Sequence, residues 1–306
     1  MSSLLKRRLN IAMLFLPQLL ITTFLMLGVV IGMVQSFGII PSLDLTDFTF
    51  DYYLKLFTNQ QLSHSVWFSL KIALFSALLS TFLGLVVAYF WLQSESMSKG
   101  MQIIIRLPII IPHIIVTLFM MQMLGRTGLL ARIFFSLGFD NAQKWFDLML
   151  YNQNAWGIIL AFLWKEVPFV IFYCYPILSS ISSGLGEAAR TLGANQWQSY
   201  LKIILPLAKN TIFSSFFIIF MYAFGSYEVP ALLGPTLPKA LPVASYQAYT
   251  HPDLLQRPLS MALNGLILVV GLVCAGIIYL ALSIPDLKRL MIQNRLRRRM
   301  DETENY

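Results

Sequence analysis

The 306-residue sequence is poor in the residues that soluble, secreted and catalytic proteins use most. Charged residues make up only 12% of the chain, about half of the ~25% found in globular proteins. Two cysteines and three widely separated histidines exclude a disulfide-stapled module and give no metal-ligand spacing. Hydrophobic residues make up 57%, which is more than a soluble fold of this size can hide from water. The composition therefore excludes intrinsic disorder and favours an integral membrane protein.

Motifs that would carry chemistry are also missing. The sequence has no Gly-x-x-x-x-Gly-Lys-Ser/Thr loop for nucleotide phosphates and no Gly-x-Ser-x-Gly nucleophile turn. We therefore expect no catalytic residue, no metal and no cofactor. If the chain moves a solute uphill, the energy must come from another chain or from an ion gradient.

Continuous apolar runs indicate membrane-spanning helices, because a strand of a membrane barrel would alternate apolar and polar residues. Windows free of Asp, Glu, Lys and Arg predict six crossings and an all-α integral membrane fold. The predicted crossings lie near 10–36, 66–92, 103–124, 154–180, 210–232 and 259–284.

The distribution of Lys and Arg predicts how the chain is oriented. With the N-terminus inside, the cytoplasmic segments hold 13 basic residues and the external segments hold six. Six crossings return the C-terminus to the cytoplasm, so both termini are predicted to be cytoplasmic. The basic tail around 295–299 is then an orientation signal beside anionic lipid and not a nucleic-acid site.

The segment 182–209, between the fourth and fifth crossings, has a distinctive pattern. A short helix is predicted to begin at Glu187 and to end at Gly193, since glycine accepts the left-handed conformation of a helix C-cap. A second amphipathic helix follows, with Trp197 and Tyr200 at helical spacing, and Pro206 marks the entry to the next crossing. We call residues 187–206 the elbow.

The elbow resembles the signature loop of the membrane subunits of binding-protein-dependent ABC importers of type I. That signature reads Glu-Ala-Ala, three residues, Gly, nine residues, Ile-x-Leu-Pro. The matching positions are Glu187, Ala188, Ala189, Gly193, Ile203, Leu205 and Pro206. By this resemblance the loop docks on an ATP-binding subunit, with Glu187 as the docking acid and Gly193 as the bend. Arg190 departs from the family, where many relatives carry an acidic residue. The alternative is an ordinary helix-turn-helix connection.

The resemblance also implies partners, location and domain boundaries. The partners would be two ATP-binding cassette subunits, a second permease subunit (identical or homologous), an extracytoplasmic solute-binding protein and membrane lipid, with no nucleic acid. The location would be the bacterial inner or plasma membrane. The expected domains are an N-terminal anchor helix and external loop at 1–63, a transmembrane domain at 64–285 and a basic cytoplasmic tail at 286–306.

A weaker likeness concerns the substrate. Segments 164–169 and 224–234 are similar to permeases of the spermidine/putrescine and 2-aminoethylphosphonate branch. This likeness suggests a small organic solute such as a polyamine or an aminophosphonate. The chain would then be a permease subunit of an ATP-driven importer; the alternative is a secondary transporter or channel that works alone.

Polar side chains within apolar segments are candidates for the translocation path, because ionisable groups are costly in a bilayer. The candidates are Lys165, Glu166, Ser226, Tyr227, Glu228 and Asn264. Lys165 and Glu166 either line the path or form a buried charge network with groups on other helices. Glu228 either holds a cationic group with Ser226 and Tyr227 or serves a gate or packing. Asn264 is more typical of an interhelical hydrogen bond.

Overall fold

The computed structural model describes residues 3–94 and 98–304, with side chains at 13–94 and 98–280. The described residues are mostly helical and contain no strand, and the one isolated bridge among them joins Ile40 and Leu45. The helices are α1 (Ser3–Ser36), α2 (Asp51–Thr58), α3 (Gln60–Gln93), α4 (Lys99–Ile110), α5 (His113–Leu124), α6 (Leu129–Ser136), α7 (Ala142–Asp147), α8 (Trp156–Ile181), α9 (Glu187–Thr191), α10 (Gln196–Ser199), α11 (Leu205–Gly225), α12 (Glu228–Leu233), α13 (Leu241–Tyr249) and α14 (Arg257–Glu304).

Six helical segments of the described chain are long and apolar enough to cross a membrane, so the predicted all-α fold with six crossings is confirmed. A bilayer core of about 30 Å needs about 20 helical residues, and each segment meets that length. They are Met13–Ser36, Gln60–Gln93, His113–Ser136, Trp156–Thr191, Gln196–Gly225 and Leu254–Leu280.

The third crossing differs from its prediction at 103–124. The helix is broken between α4 and α5, where Ile111 and Pro112 adopt extended conformations with ψ of 129° and 144°. Proline has no N–H and disfavours a helical residue before it, so Pro112 ends α4 and starts α5 afresh. The apolar stretch that is long enough to span therefore begins at His113.

The fifth crossing also differs from its prediction at 210–232. Helix α11 ends at Gly225, Ser226 is extended, and α12 begins separately at Glu228. Pro230 cannot donate to the carbonyl of Ser226, but it fits the first turn of a new helix, where no such bond is needed. Glu228 consequently lies beyond the end of the spanning helix and not on its last turn.

Backbone contacts divide the chain into two units. The first unit combines the residues up to Ser63 with Leu241–Leu268. In it the hydroxyls of Ser36 and Tyr53 are 2.8 Å apart, and the Phe37 ring packs against Tyr53 at 5.4 Å between centroids. This unit therefore joins the end of α1 to α2 through a small aromatic and hydroxyl cluster.

The second unit contains His64–Ala240 and the residues from Val269 onward. Helix α8 is its central element and packs against α4, α5, α11 and α12. Small residues allow close approach: a Cβ added to Gly84 of α3 would lie 2.6 Å from the Val170 side chain of α8. Cys174 is a small core residue, buried with its Sγ 3.7 Å from the Ser215 hydroxyl on α11.

We expect Gly84→Ala to lower the stability of the purified protein by roughly 1–3 kcal/mol, because the added methyl group overpacks the contact of α3 with α8. The melting temperature in detergent measures this effect. Gly276→Ala is the matched control, since nothing lies within 4 Å of a Cβ at that position. Equal melting temperatures for the two variants would contradict the close packing at Gly84.

Candidate functional site

The first arm of the elbow continues directly from a membrane helix. After α8 ends, a π-helical segment Ser182–Gly186 leads without interruption into α9. The N–H of Gly193 donates to the carbonyl of Arg190, and Gly193 has a φ of +93°. The predicted short helix that begins at Glu187, and its left-handed glycine end, are therefore confirmed.

The second arm begins with a capping box that the sequence analysis did not identify. The Asn195 side chain accepts from the Gln198 N–H at 2.7 Å, and the Gln198 side chain accepts from the Asn195 N–H at 3.1 Å. Helix α10 then runs through a π-helical segment Tyr200–Ile204 into α11, with Pro206 in the first turn of α11. Both arms are thus helical continuations of spanning segments.

Contacts at the base of the elbow hold the two arms together. The buried Ser199 hydroxyl on the second arm donates to the Gly186 carbonyl on the first at 3.2 Å. The Tyr200 hydroxyl donates to the Leu85 carbonyl of α3 at 2.8 Å, and Trp197 packs against Tyr89 at 4.8 Å between ring centroids. The elbow is therefore in contact with α3 as well as continuous with α8 and α11.

The outer surface of the elbow offers a carboxylate and an apolar tip. Glu187 and Ala188 are exposed, and Leu192 is 89% exposed. Arg190, the departure from the family pattern, lies 3.9 Å from the Glu187 carboxylate. Both partners of this pair are well exposed, so the pair contributes at most about 1 kcal/mol and leaves Glu187 available to another chain. Ile203 and Leu205 are half-buried at the base.

A second group of polar residues surrounds the break between α4 and α5. Lys165 and Glu166 of α8 are only 7% and 8% exposed. The Lys165 ammonium donates to the Ile111 carbonyl, which the break leaves without a helical partner. The Glu166 carboxylate lies 3.4 Å from Nε2 of His113, the first residue of α5. Each of the two charges therefore meets a group on another helix, as the sequence analysis expected for a buried network.

The end of α11 and the start of α12 lie beside this group. The Tyr222 ring is 4.6 Å from the His113 ring, between centroids. Glu228 is the first residue of α12. Helix α12 packs against both α5 and α8. We call Lys165, Glu166, His113, Tyr222 and Glu228 the break cluster, because two helix interruptions meet there.

Lys165 and Glu166 are adjacent on α8, Glu228 begins α12, which packs against α8, and Ser226 and Tyr227 form the link that precedes α12. Asn264 belongs to the other unit, where its side chain accepts from the Ser245 hydroxyl at 2.8 Å. That contact is the interhelical hydrogen bond typical of such a residue. His113 and Tyr222 were missed; the available signal was a histidine directly after Pro112 inside an apolar run.

Comparisons with known proteins agree with this architecture. The family model described as "Binding-protein-dependent transport system inner membrane component" matches residues 80–284. A sulfate transport system permease protein, cysT, of Prototheca wickerhamii is 29% identical over 174 residues, covering 56% of this chain and 64% of that protein. The sulfate transport system permease protein CysW of Synechococcus elongatus is 25% identical over 228 residues, covering 71% and 74%.

A crystal structure of a bacterial alginate ABC transporter, in complex with an alginate pentasaccharide-bound periplasmic protein, contains a similar chain. The TM-score is 0.74 at 22% identity, and the match covers 91% of this chain and 96% of that one. At this identity the likeness concerns the fold. The chain spans just under two thirds of the length of two cysT relatives, 64% and 65%. The match of the family model over most of the chain nevertheless shows that this protein belongs to the family of binding-protein-dependent transport system inner membrane components.

Proposed function

We propose that the chain is the membrane-spanning permease subunit of an ATP-driven importer. An external binding protein would deliver the solute, and a separate ATP-binding subunit would hydrolyse ATP. The observation that carries the proposal is the elbow, whose two arms continue as helices into two spanning segments and which presents Glu187 and Leu192 outward. Such an arrangement turns a push on the elbow into a movement of the spans.

The geometry of the elbow makes its two arms move together. The Gly193 bend fixes the angle between the arms, and the Ser199–Gly186 hydrogen bond ties their bases together. A subunit that grips α9 therefore moves both arms as one body. Closure of two ATP-binding subunits would rotate two such elbows, one from each permease subunit, and expose the path outward; release of the hydrolysis products would reverse the motion.

The same proposal sets the orientation and the domain division. The elbow faces the cytoplasm, together with both termini, as the excess of Lys and Arg indicates. The residues 64–285 form the transporting domain, 1–63 the anchor helix and external loop, and 286–306 a basic tail beside anionic lipid. The membrane is the inner or plasma membrane of a bacterial cell.

The break cluster is the proposed polar part of the translocation path. Discontinuous helices line the substrate sites of many secondary transporters. Here the two interruptions of α4–α5 and α11–α12 meet beside Lys165 and Glu228. We propose a small organic solute of the polyamine or aminophosphonate kind, on the likeness of 164–169 and 224–234 noted above, although the relatives compared carry the names of sulfate permeases.

The competing function is a secondary transporter or channel that works alone. Reconstitution in liposomes separates the two. An importer subunit supports uptake only when ATP, the ATP-binding subunit and the binding protein are all present. Uptake by this chain alone, driven by an ion gradient, would favour the competing function.

We expect Gly193→Val to abolish most ATP-dependent uptake while the protein still inserts and folds. A β-branched residue is disfavoured in the left-handed conformation by roughly 1–2 kcal/mol, so the bend between the arms changes. Transport and ATP hydrolysis are measured on the same proteoliposomes, and hydrolysis should become uncoupled from uptake.

Two variants control this result. Gly193→Asn should transport nearly normally, since asparagine tolerates the left-handed conformation. Gly184→Val changes another glycine next to the elbow that has open space and no positive φ, and it should also retain uptake. Normal uptake by Gly193→Val would contradict the proposed role of the bend.

We expect Lys165→Met to destabilise the protein by roughly 1–3 kcal/mol, because it leaves the Ile111 carbonyl without its donor in an apolar environment. Lys209→Met, at an exposed position, is the matched control. Thermal unfolding in detergent measures the stability of each variant. Uptake per folded molecule measures whether Lys165 takes part in the translocation path. Stability and uptake like those of the control would show that Lys165 serves neither purpose.

A further inference from the structure

The helices α6 and α7 form a hairpin beside the end of α8 that lies opposite the elbow. Helix α8 runs from Trp156 towards the elbow, and its 26 residues are about 39 Å long, enough to cross a bilayer. The N–H of Gly157, in the first turn of α8, donates to the Met149 carbonyl at 2.8 Å, so the hairpin ends next to the start of α8. We call residues 129–148 the aromatic hairpin.

The aromatic hairpin does not continue the spanning helix α5. Gly125 ends α5 in an extended conformation, and the N–H of Gly128 donates to the Gly125 carbonyl at 2.8 Å, which closes a tight turn. Gly128 lies so close to the end of α5 that an added Cβ would be 2.7 Å from the Gln122 carbonyl oxygen. The chain therefore turns at Gly128. Helix α6, with eight residues, is about 12 Å long and too short to cross the bilayer alone.

A glycine turn joins the two helices of the aromatic hairpin and fixes its rings. Gly138 has a φ of +93°, and its N–H donates to the Phe135 carbonyl at 3.0 Å. The N–H of Phe139 donates to the Phe134 carbonyl at 3.1 Å, which completes a Schellman motif. The Phe139 ring consequently lies 5.7 Å from the Phe134 ring and 5.8 Å from the Trp145 ring of α7, between centroids. Rings from both helices are thus held in one array.

The aromatic hairpin buries small residues and exposes large ones. Ala131 and Ala142 are only 1% and 0% exposed, whereas Phe135 and Leu137 are 54% and 68% exposed. A hairpin that stands in water would place its large apolar side chains inside, because the gain from burial grows with apolar area. The outer surface of this hairpin is therefore suited to an apolar medium.

The exposed apolar surface continues onto the neighbouring membrane helices. Leu118 and Phe119 of α5 and Trp156 at the start of α8 are exposed as well. A tryptophan at the end of a spanning helix is typical of the level where the membrane meets water. The hairpin also carries the exposed cations Arg132 and Lys144, as helices that lie in this interface do. Lipid is therefore the medium that fits the surface best.

We propose that the aromatic hairpin lies in the headgroup region of the membrane face opposite the elbow, with its array of rings immersed among the lipids. In this position the hairpin anchors the adjoining ends of α5 and α8 at the membrane surface. The inference rests on the spanning helices and not on the proposed import. The competing occupant of the same surface is an external solute-binding protein.

Spin labels on single cysteines test which medium surrounds the aromatic hairpin. Phe135→Cys and Leu137→Cys each place a label on its exposed apolar surface, and Leu192→Cys, the exposed apolar tip of the elbow, is the matched control. The native Cys174 and Cys274 are buried and give a low background. The full-length protein is reconstituted in nanodiscs of phosphatidylethanolamine and phosphatidylglycerol. Electron paramagnetic resonance then measures how often each label collides with oxygen, which concentrates in lipid, and with a water-soluble nickel chelate.

We expect the ratio of oxygen collisions to nickel collisions to be several-fold higher for Phe135→Cys and Leu137→Cys than for Leu192→Cys, without any binding protein. Ratios equal to that of Leu192→Cys would overturn the proposal, because the hairpin would then stand in water. Low collision rates with both reagents would overturn it as well, since protein would then cover the surface. Labels that lose contact with the nickel chelate only after the binding protein is added would assign the surface to that protein instead of lipid.

Discussion

The absence of water in the bilayer core is the constraint on which the rest of the structure depends. Every backbone N–H and carbonyl there needs a protein partner, because an unpaired group costs several kcal/mol. A continuous helix provides those partners, and Pro112 interrupts one. The interruption leaves the Ile111 carbonyl free, and the Lys165 ammonium binds it. A buried ammonium in turn needs negative charge nearby, which Glu166 and Glu228 supply. The break at Pro112 therefore accounts for the contact of Lys165 with Ile111.

The same constraint explains where the elbow is built. Its arms contain a left-handed glycine and two π-helical segments, which leave backbone groups that need other partners or water, and a capping box that supplies two such partners. Such irregular backbone belongs outside the apolar spans. At its base Ser199 and Tyr200 bond to backbone carbonyls of Gly186 and Leu85. The elbow is thus irregular at its exposed surface and hydrogen-bonded where it meets the membrane helices.

The sequence predicted those features that depend only on residues near one another in the chain. Uninterrupted apolar runs predicted six spans, and the Gly193 position predicted the end of α9, because both depend on neighbours in the chain. The sequence analysis did not predict the breaks between α4 and α5 and between α11 and α12, although Pro112 and Pro230 lie within the predicted crossings. Proline within a spanning segment can kink, break or merely bend a helix, and which one occurs depends on tertiary contacts such as that of Lys165 with Ile111. The partnership of His113 with Glu166 joins residues 53 apart, so no spacing rule could reveal it.

The elbow and the break cluster differ in how much of the family signature they contain. The elbow carries the seven-position signature and lies within the residues that the family model matches. The break cluster is built from residues outside that signature, and relatives named for sulfate, ferric iron and molybdate transport show how widely solutes vary within the family. In the proposed function the elbow receives the drive, and the break cluster belongs to the path that selects the solute.

In the proposed function the elbow stands on the cytoplasmic side, where a separate ATP-binding subunit grips it. Leu192, the most outward side chain of the elbow at 89% exposure, gives the most direct test. A Leu192→Cys variant is labelled with a membrane-impermeant maleimide in sealed vesicles of both orientations. The account predicts labelling in inside-out vesicles alone, and protection from labelling when the ATP-binding subunit is bound. Labelling of right-side-out vesicles, or equal labelling with and without that subunit, would contradict it.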